Sequence, residues 1–126
     1  MRQIITLPFC NLEINNQIVI ATINEGIHLT LDMSEEIILA VFNSLGDKPT
    51  IYITNRVNSY SVDPTLYSSL IKVKNIKGFG IVIHENNTSK SVEVESLFYK
   101  NKFEYFNSIK DAKLWGNKRL ANSLAS

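Results

Sequence analysis

"TIYITNRVNSYSVDPTLYSSL", residues 50–70, joins a strand pattern to a helix pattern. It opens with TIYIT, an unbroken run of β-branched and aromatic side chains, the pattern of a strand buried on both faces. A polar loop follows the strand's arginine. Asp63-Pro64 then predicts a helix start, because aspartate accepts from first-turn amides and proline at the first helical position loses no needed donor. Leu66, Tyr67, Leu70 and Ile71 supply a stripe at helical spacing. A doubly buried strand feeding a helix calls for a sheet with helices packed on it, which is the α/β arrangement.

Working outward, residues 3–14 are β-rich and 17–24 (QIVIATIN) form a second β-branched run, with Asn15-Asn16 between them. Asparagine tolerates the left-handed backbone of a tight turn, so the two segments predict an N-terminal hairpin. Glu25-Gly26 turns the chain. Met33, Ile37, Val41 and Leu45 fall four apart, with Ile38 and Phe42 beside them, and predict a first helix ending at Gly46. Asp32 with Glu35 resembles a capping box, while Thr30 is the alternative cap.

Gly78 and Gly80 bracket the entry to a strand at 79–84 (FGIVIH). A third helix is expected over 88–100, although VEVE alternates like a strand. FEYF, 103–106, reads as a short strand. Ser108 caps a last helix striped by Ile109, Ala112 and Trp115, and 121–126 reads as a disordered tail. The expectation is one domain over 1–126, an N-terminal hairpin followed by alternating α and β. Its mixed sheet would have parallel core strands, right-handed crossovers and about four helices.

Composition narrows the function classes. Of 126 residues 44% are hydrophobic and 20% charged, enough for one ordinary core. Thirteen Lys and Arg against twelve Asp and Glu leave a net charge of +1, without the basic excess of a nucleic-acid binder. Lys72, Lys74 and Lys77 cluster where solvation of a helix end explains them. The single cysteine, Cys10, has no partner for an internal disulfide, and a reducing, cytoplasmic setting is expected. The early apolar run is broken by Pro8, Asn11 and Glu13, so it reads as neither signal peptide nor membrane span.

The order of elements, the strand PTIYITNR, the helix VDPTLYSSL, the strand GFGIVIHE and the closing FEYFNSIKDAKLW together resemble STAS-type domains. The likeness is strongest to the SpoIIAA-like, or STAS/SEC14-like, group of small bacterial proteins. It runs from about Glu13 to Trp115, and Phe106-x-Ser108-x-x-Asp111-Ala112-x-x-Trp115 is its most distinctive piece. The resemblance implies a non-enzymatic module that binds other proteins, as anti-sigma factor antagonists do. In those proteins a serine at the start of the second helix, within an Asp-Ser-Ser-Gly run, is phosphorylated to release a kinase partner. Here Ser61-Val62-Asp63-Pro64 stands instead. The acceptor position falls near Asp63, a carboxylate that cannot take phosphate as a serine does.

The residues themselves direct attention to the same loop. Ligands of open parallel sheets gather beyond the carboxyl ends of the strands. The expected partner-binding rim is Asn55, Arg56, Asn58, Ser59, Tyr60, Ser61 and Asp63, joined by His84 and Glu85 from the next strand. Arg56 carries a planar fork suited to carboxylate or phosphate; alternatively it pairs with Glu85, an exposed bridge worth about 0–1 kcal/mol. Tyr60 has a core reading and Asp63 a capping one. Ser59 and Ser61 are candidate phosphoacceptors, since a phosphate there would lie near a helix N-terminus.

A catalytic reading would combine one of these serines with His84 and Glu85 or Asp63, but the G-x-S-x-G elbow is missing. No motif calls for a cofactor or a metal. Phe98, Tyr99, Phe103, Tyr105 and Phe106 form an aromatic concentration that would suit a lipid or other small apolar ligand, or an ordinary core. Self-association is expected through the hairpin's open edge.

Overall fold

The computed structural model of the protein describes residues 2–84 and 103–125. The chain enters as an antiparallel meander: β1 (Arg2–Leu7), β2 (Cys10–Asn15) and β3 (Ile18–Ile23). Residues 3–14, expected as one arm of a hairpin, are instead folded back on themselves at Pro8-Phe9, and the hairpin becomes three strands. Between β2 and β3, Asn16 takes the positive φ, 56°, that the turn requires.

After β3 come β4 (His28–Leu29), α1 (Leu31–Leu45), β5 (Thr50–Arg56), β6 (Ser61–Val62), α2 (Thr65–Leu70), β7 (Ile76–Ile83), β8 (Phe103–Phe106) and α3 (Ile109–Ala125). Among the described residues the main sheet runs β1-β2-β3-β5-β7-β8, antiparallel through the meander and parallel from β3 to β8. A second, two-stranded parallel sheet joins β4 to β6, an element the sequence did not announce. The third helix expected over 88–100 lies outside the described residues.

Period-two alternation divides the core. On one face of the sheet Val19, Tyr52, Phe79, Ile81 and Phe103 pack with Ile37 and Val41 of α1 and Leu66, Tyr67 and Leu70 of α2. On the other face Ile18, Ile20, Ile51, Ile53 and Val82 meet Ala112 and Leu120 of α3. β5, central and shielded on both sides, is the doubly buried strand that TIYIT predicts.

The caps follow local chemistry. Thr30 is the cap of α1, its Oγ1 accepting from the Met33 amide at 3.3 Å, which settles the choice against Asp32. At the other end Gly46, at φ 62°, donates its amide to the Phe42 carbonyl at 2.7 Å. Ser108 Oγ accepts from the Asp111 amide at 3.1 Å and starts α3. The disordered tail expected from residue 121 is corrected: α3 continues to Ala125. Leu120 explains the continuation, since it is buried against the sheet two turns after Ala112 and holds the helix down.

Candidate functional site

The carboxyl ends of the parallel strands carry two loops, 24–30 before α1 and 57–63 before α2. Pairing of His28-Leu29 with Ser61-Val62 brings them side by side. Ser61 donates its amide to Ile27 O (3.0 Å) and Asp63 to Leu29 O (2.9 Å), while Gly26 donates to Ser59 O (2.8 Å). Side chains reinforce the seam. Glu25 Oε2 accepts from the Ser59 amide at 3.1 Å, and His28 Nδ1 shares a 2.7 Å hydrogen bond with Ser61 Oγ. Asn58 Nδ2 donates to Ile23 O at 2.9 Å and ties the loop's root to the end of β3. The outcome is one braced polar surface bearing Glu25, His28, Ser59, Ser61 and Asp63.

Asp63 Oδ1 accepts from both the amide and the hydroxyl of Thr65, at 3.0 and 2.8 Å. These two bonds, with the His28 charge adding a lesser share, hold its carboxyl below the usual aspartate value. Helical geometry begins at Thr65 with Pro64 as the cap position, so Asp63 braces the approach to α2 through an Asx turn.

Arg56 is the main departure from the expected rim. It is only 3% exposed and points into the α1–α2 side of the core. There its Nη2 donates to Tyr67 Oη at 3.4 Å and its guanidinium lies 5.0 Å from the centre of the Tyr60 ring. The physical reason is strand alternation. Arg56 follows Tyr52 and Thr54 on one face, whereas Asn55 follows Ile51 and Ile53 on the other, so neighbours in sequence cannot share a rim. A cavity of about 30 Å³ beside Arg56, Tyr52, Tyr60 and Tyr67 has room for a water or two. Tyr60 is buried and takes its core reading.

Asn55 and His84 do meet, with Oδ1 and Nε2 2.6 Å apart, but on the α3 side of the sheet. Glu85 lies outside the described residues. The nine-residue rim is therefore resolved into an exposed loop surface, a buried arginine cluster and a separate Asn55–His84 pair. His28 and Glu25 were missed. His28 sits 33 residues from Ser61, and no local pattern links residues whose adjacency depends on two short strands pairing.

The expected aromatic cavity is not formed as one set. Phe103 fills the core against Tyr67 and Phe79, with ring centres 5.4 and 5.6 Å away, and Tyr105 shares its face. Phe106 turns to the opposite face and packs on Trp115 at 5.1 Å. Phe98 lies outside the described residues. An apolar groove does exist elsewhere, lined by Ile38, Leu39, Phe42, Tyr52, Val73 and Ile76, with a volume of about 410 Å³. Its signal in the sequence is that Ile38, Leu39 and Phe42 make the apolar stripe of α1 wider than one packed face needs. Cys10 is buried; desolvation, then the Glu36 carboxylate, push its thiol up to about 11 and leave it unreactive at neutral pH.

Among the described residues, no helix is long and apolar enough to cross a membrane. No family model matches the chain, and no curated protein matches it. Among solved structures it is similar to an uncharacterised protein of the DUF3478 family with a SpoIIAA-like fold, from Shewanella loihica PV-4. The match covers 92% of this chain and 95% of that one, at 14% identity and a TM-score of 0.52. The chain thus has a SpoIIAA-like fold, and at that identity the likeness speaks of fold alone.

Proposed function

We propose that this SpoIIAA-like domain is a non-enzymatic, STAS-type interaction module that meets a protein partner on the surface formed by the 24–30 and 57–63 loops. The observation that carries the reading is the β4–β6 seam. It holds Glu25, His28, Ser59, Ser61 and Asp63 in fixed positions at the carboxyl edge of the parallel strands, where this sheet class presents its ligands. A prearranged polar surface lowers the ordering cost of association. His28 and Ser61 form a polar contact point, and a phosphate on Ser61 would break their bond and add negative charge beside Asp63. That is a route for regulating the contact.

The test is site-specific photocrosslinking in the cells that make the protein. A crosslinker at Ser61 is expected to capture one defined protein, whereas the same group at exposed Lys118 on α3 captures none. His28→Ala should then weaken binding of that purified partner several-fold without changing the unfolding midpoint. Equal capture from both positions, or an unchanged affinity for His28→Ala, would remove the surface from consideration. Arg56 is unsuited to this test because its replacement disturbs the core.

A further inference from the structure

We infer that the outward face of α1 is a homodimer interface, in which two copies pack their α1 helices antiparallel across a two-fold axis. The groove of about 410 Å³ lies between α1 and the 73–76 segment, at the end of the sheet opposite the proposed partner surface. The inference does not depend on that surface. Leu39 and Phe42, one turn apart on the lip of the groove, are 60% and 54% exposed, a large apolar area to leave in water.

Shape and charge together select a second copy as the occupant. A two-fold interface must be self-complementary, so projection and recess have to lie on the same patch. Phe42 is the projection; Ile38, Tyr52, Val73 and Ile76 line the recess beside it. With the axis passing near Leu39, each Phe42 reaches the other copy's groove near its Glu35–Ile38 turn. The same operation carries Glu35 from one end of the groove towards the partner's Phe42–Val73 end, where Lys74 is exposed. Among the described residues neither Glu35 nor Lys74 forms an ion pair within its own chain. The patch therefore offers opposite charges at its two ends, which antiparallel pairing brings together.

A small apolar ligand fits less well. It would leave the tips of Leu39 and Phe42 in water. It would also find few orienting groups: the groove's residues with polar side-chain atoms are Glu35, Asn75 and the buried Tyr52, and Asn75 Nδ2 is engaged with Gly46 O at 3.4 Å.

The experiment is sedimentation equilibrium of the full chain over a wide concentration range. The wild type is expected to move from monomer to dimer. Phe42→Glu should raise the dissociation constant more than about tenfold. Because Phe42 is exposed, that variant stays folded, which circular dichroism and the urea midpoint verify; Leu39→Lys is the second disrupting variant.

Glu35→Lys and Lys74→Glu should each weaken association about two- to fivefold, and the double swap should restore it. A wild type that is monomeric throughout overturns the inference. So does a dimer indifferent to Phe42→Glu and Leu39→Lys but lost on changes to β1, which would place self-association at the sheet edge. A monomer that carries a small apolar molecule lost on Phe42→Glu also overturns it. Failure in any of these ways leaves the Ser61 crosslinking result untouched.

Discussion

At Asp63 one carboxylate works for its own chain and for a proposed contact at once. Its two bonds from Thr65 depress its pKa, so the charged form is favoured by the fold. By linkage, a depressed carboxyl contributes stability that is complete above its unfolded value of about 3.8 and disappears as pH falls through the lower folded value. Asp63→Ala should therefore lower the urea midpoint at neutral pH, with the gap to wild type closing as acid protonates the wild-type carboxyl. A gap that persists in full at pH well below the folded value would mean that the bonds to Thr65 do not depend on charge. Arg56 teaches a different lesson at the same scale. Its chemistry suggests a surface anion site, yet its place in the alternation after Tyr52 and Thr54 sends it inward, where the ring face of Tyr60 and the hydroxyl of Tyr67 receive it.

At the scale of the element, β7 and α3 depend on side chains that are missing. A Cβ at Gly78 would stand 2.8 Å from Trp115 Cη2 and 2.9 Å from Arg119 Cδ; one at Gly80 would stand 3.1 Å from Trp115 Cζ3. The two glycines form a slot on the strand in which the indole lies, and Arg119 stacks over that ring at 5.9 Å while its Nε donates to Lys77 O. Gly78→Ala should destabilise the fold by about 1–3 kcal/mol, because the rigid indole must move. Combining it with Trp115→Phe should cost less than the sum of the two changes, which urea unfolding of all four proteins measures. Strict additivity would show that the slot is roomier than its distances imply. The sequence shows G-x-G before a β-branched run, but the reason for the glycines lies on a helix 35 or more residues further along.

For the whole molecule, order in the sheet predicts order of opening. β5 lies between β3 and β7 and is packed on both faces, whereas among the described residues β1 has a neighbour only in β2 and is largely exposed. Amide exchange should be slowest in Thr50–Arg56 and fastest, among the strands of the main sheet, in Arg2–Leu7. Equal protection of the two would point to β1 being covered in solution, and would move self-association to that edge. The Arg2–Glu13 pair, 2.8 Å long but well exposed on the arginine side, adds little to hold β1 in place.

The class and most elements of this protein are legible in its residues: a doubly buried β5, the Gly46 end of α1, the Ser108 cap of α3, a turn at Asn16 and the alternation of strand and helix. These are local matters, written in side-chain period, in β-branching and in the few residues that can cap or turn a backbone. The sequence also pointed to the 57–63 loop, on which the partner surface is proposed. Which of the rim's residues face outward is set by packing, because Asn55 and Arg56 part company at the end of β5 and the faces of a strand acquire meaning only when helices cover them. Packing likewise brought His28 to Ser61 and left Phe42 uncovered on α1. Those facts rest on contacts between segments far apart in the chain, and such contacts are set by how the helices and sheet pack together.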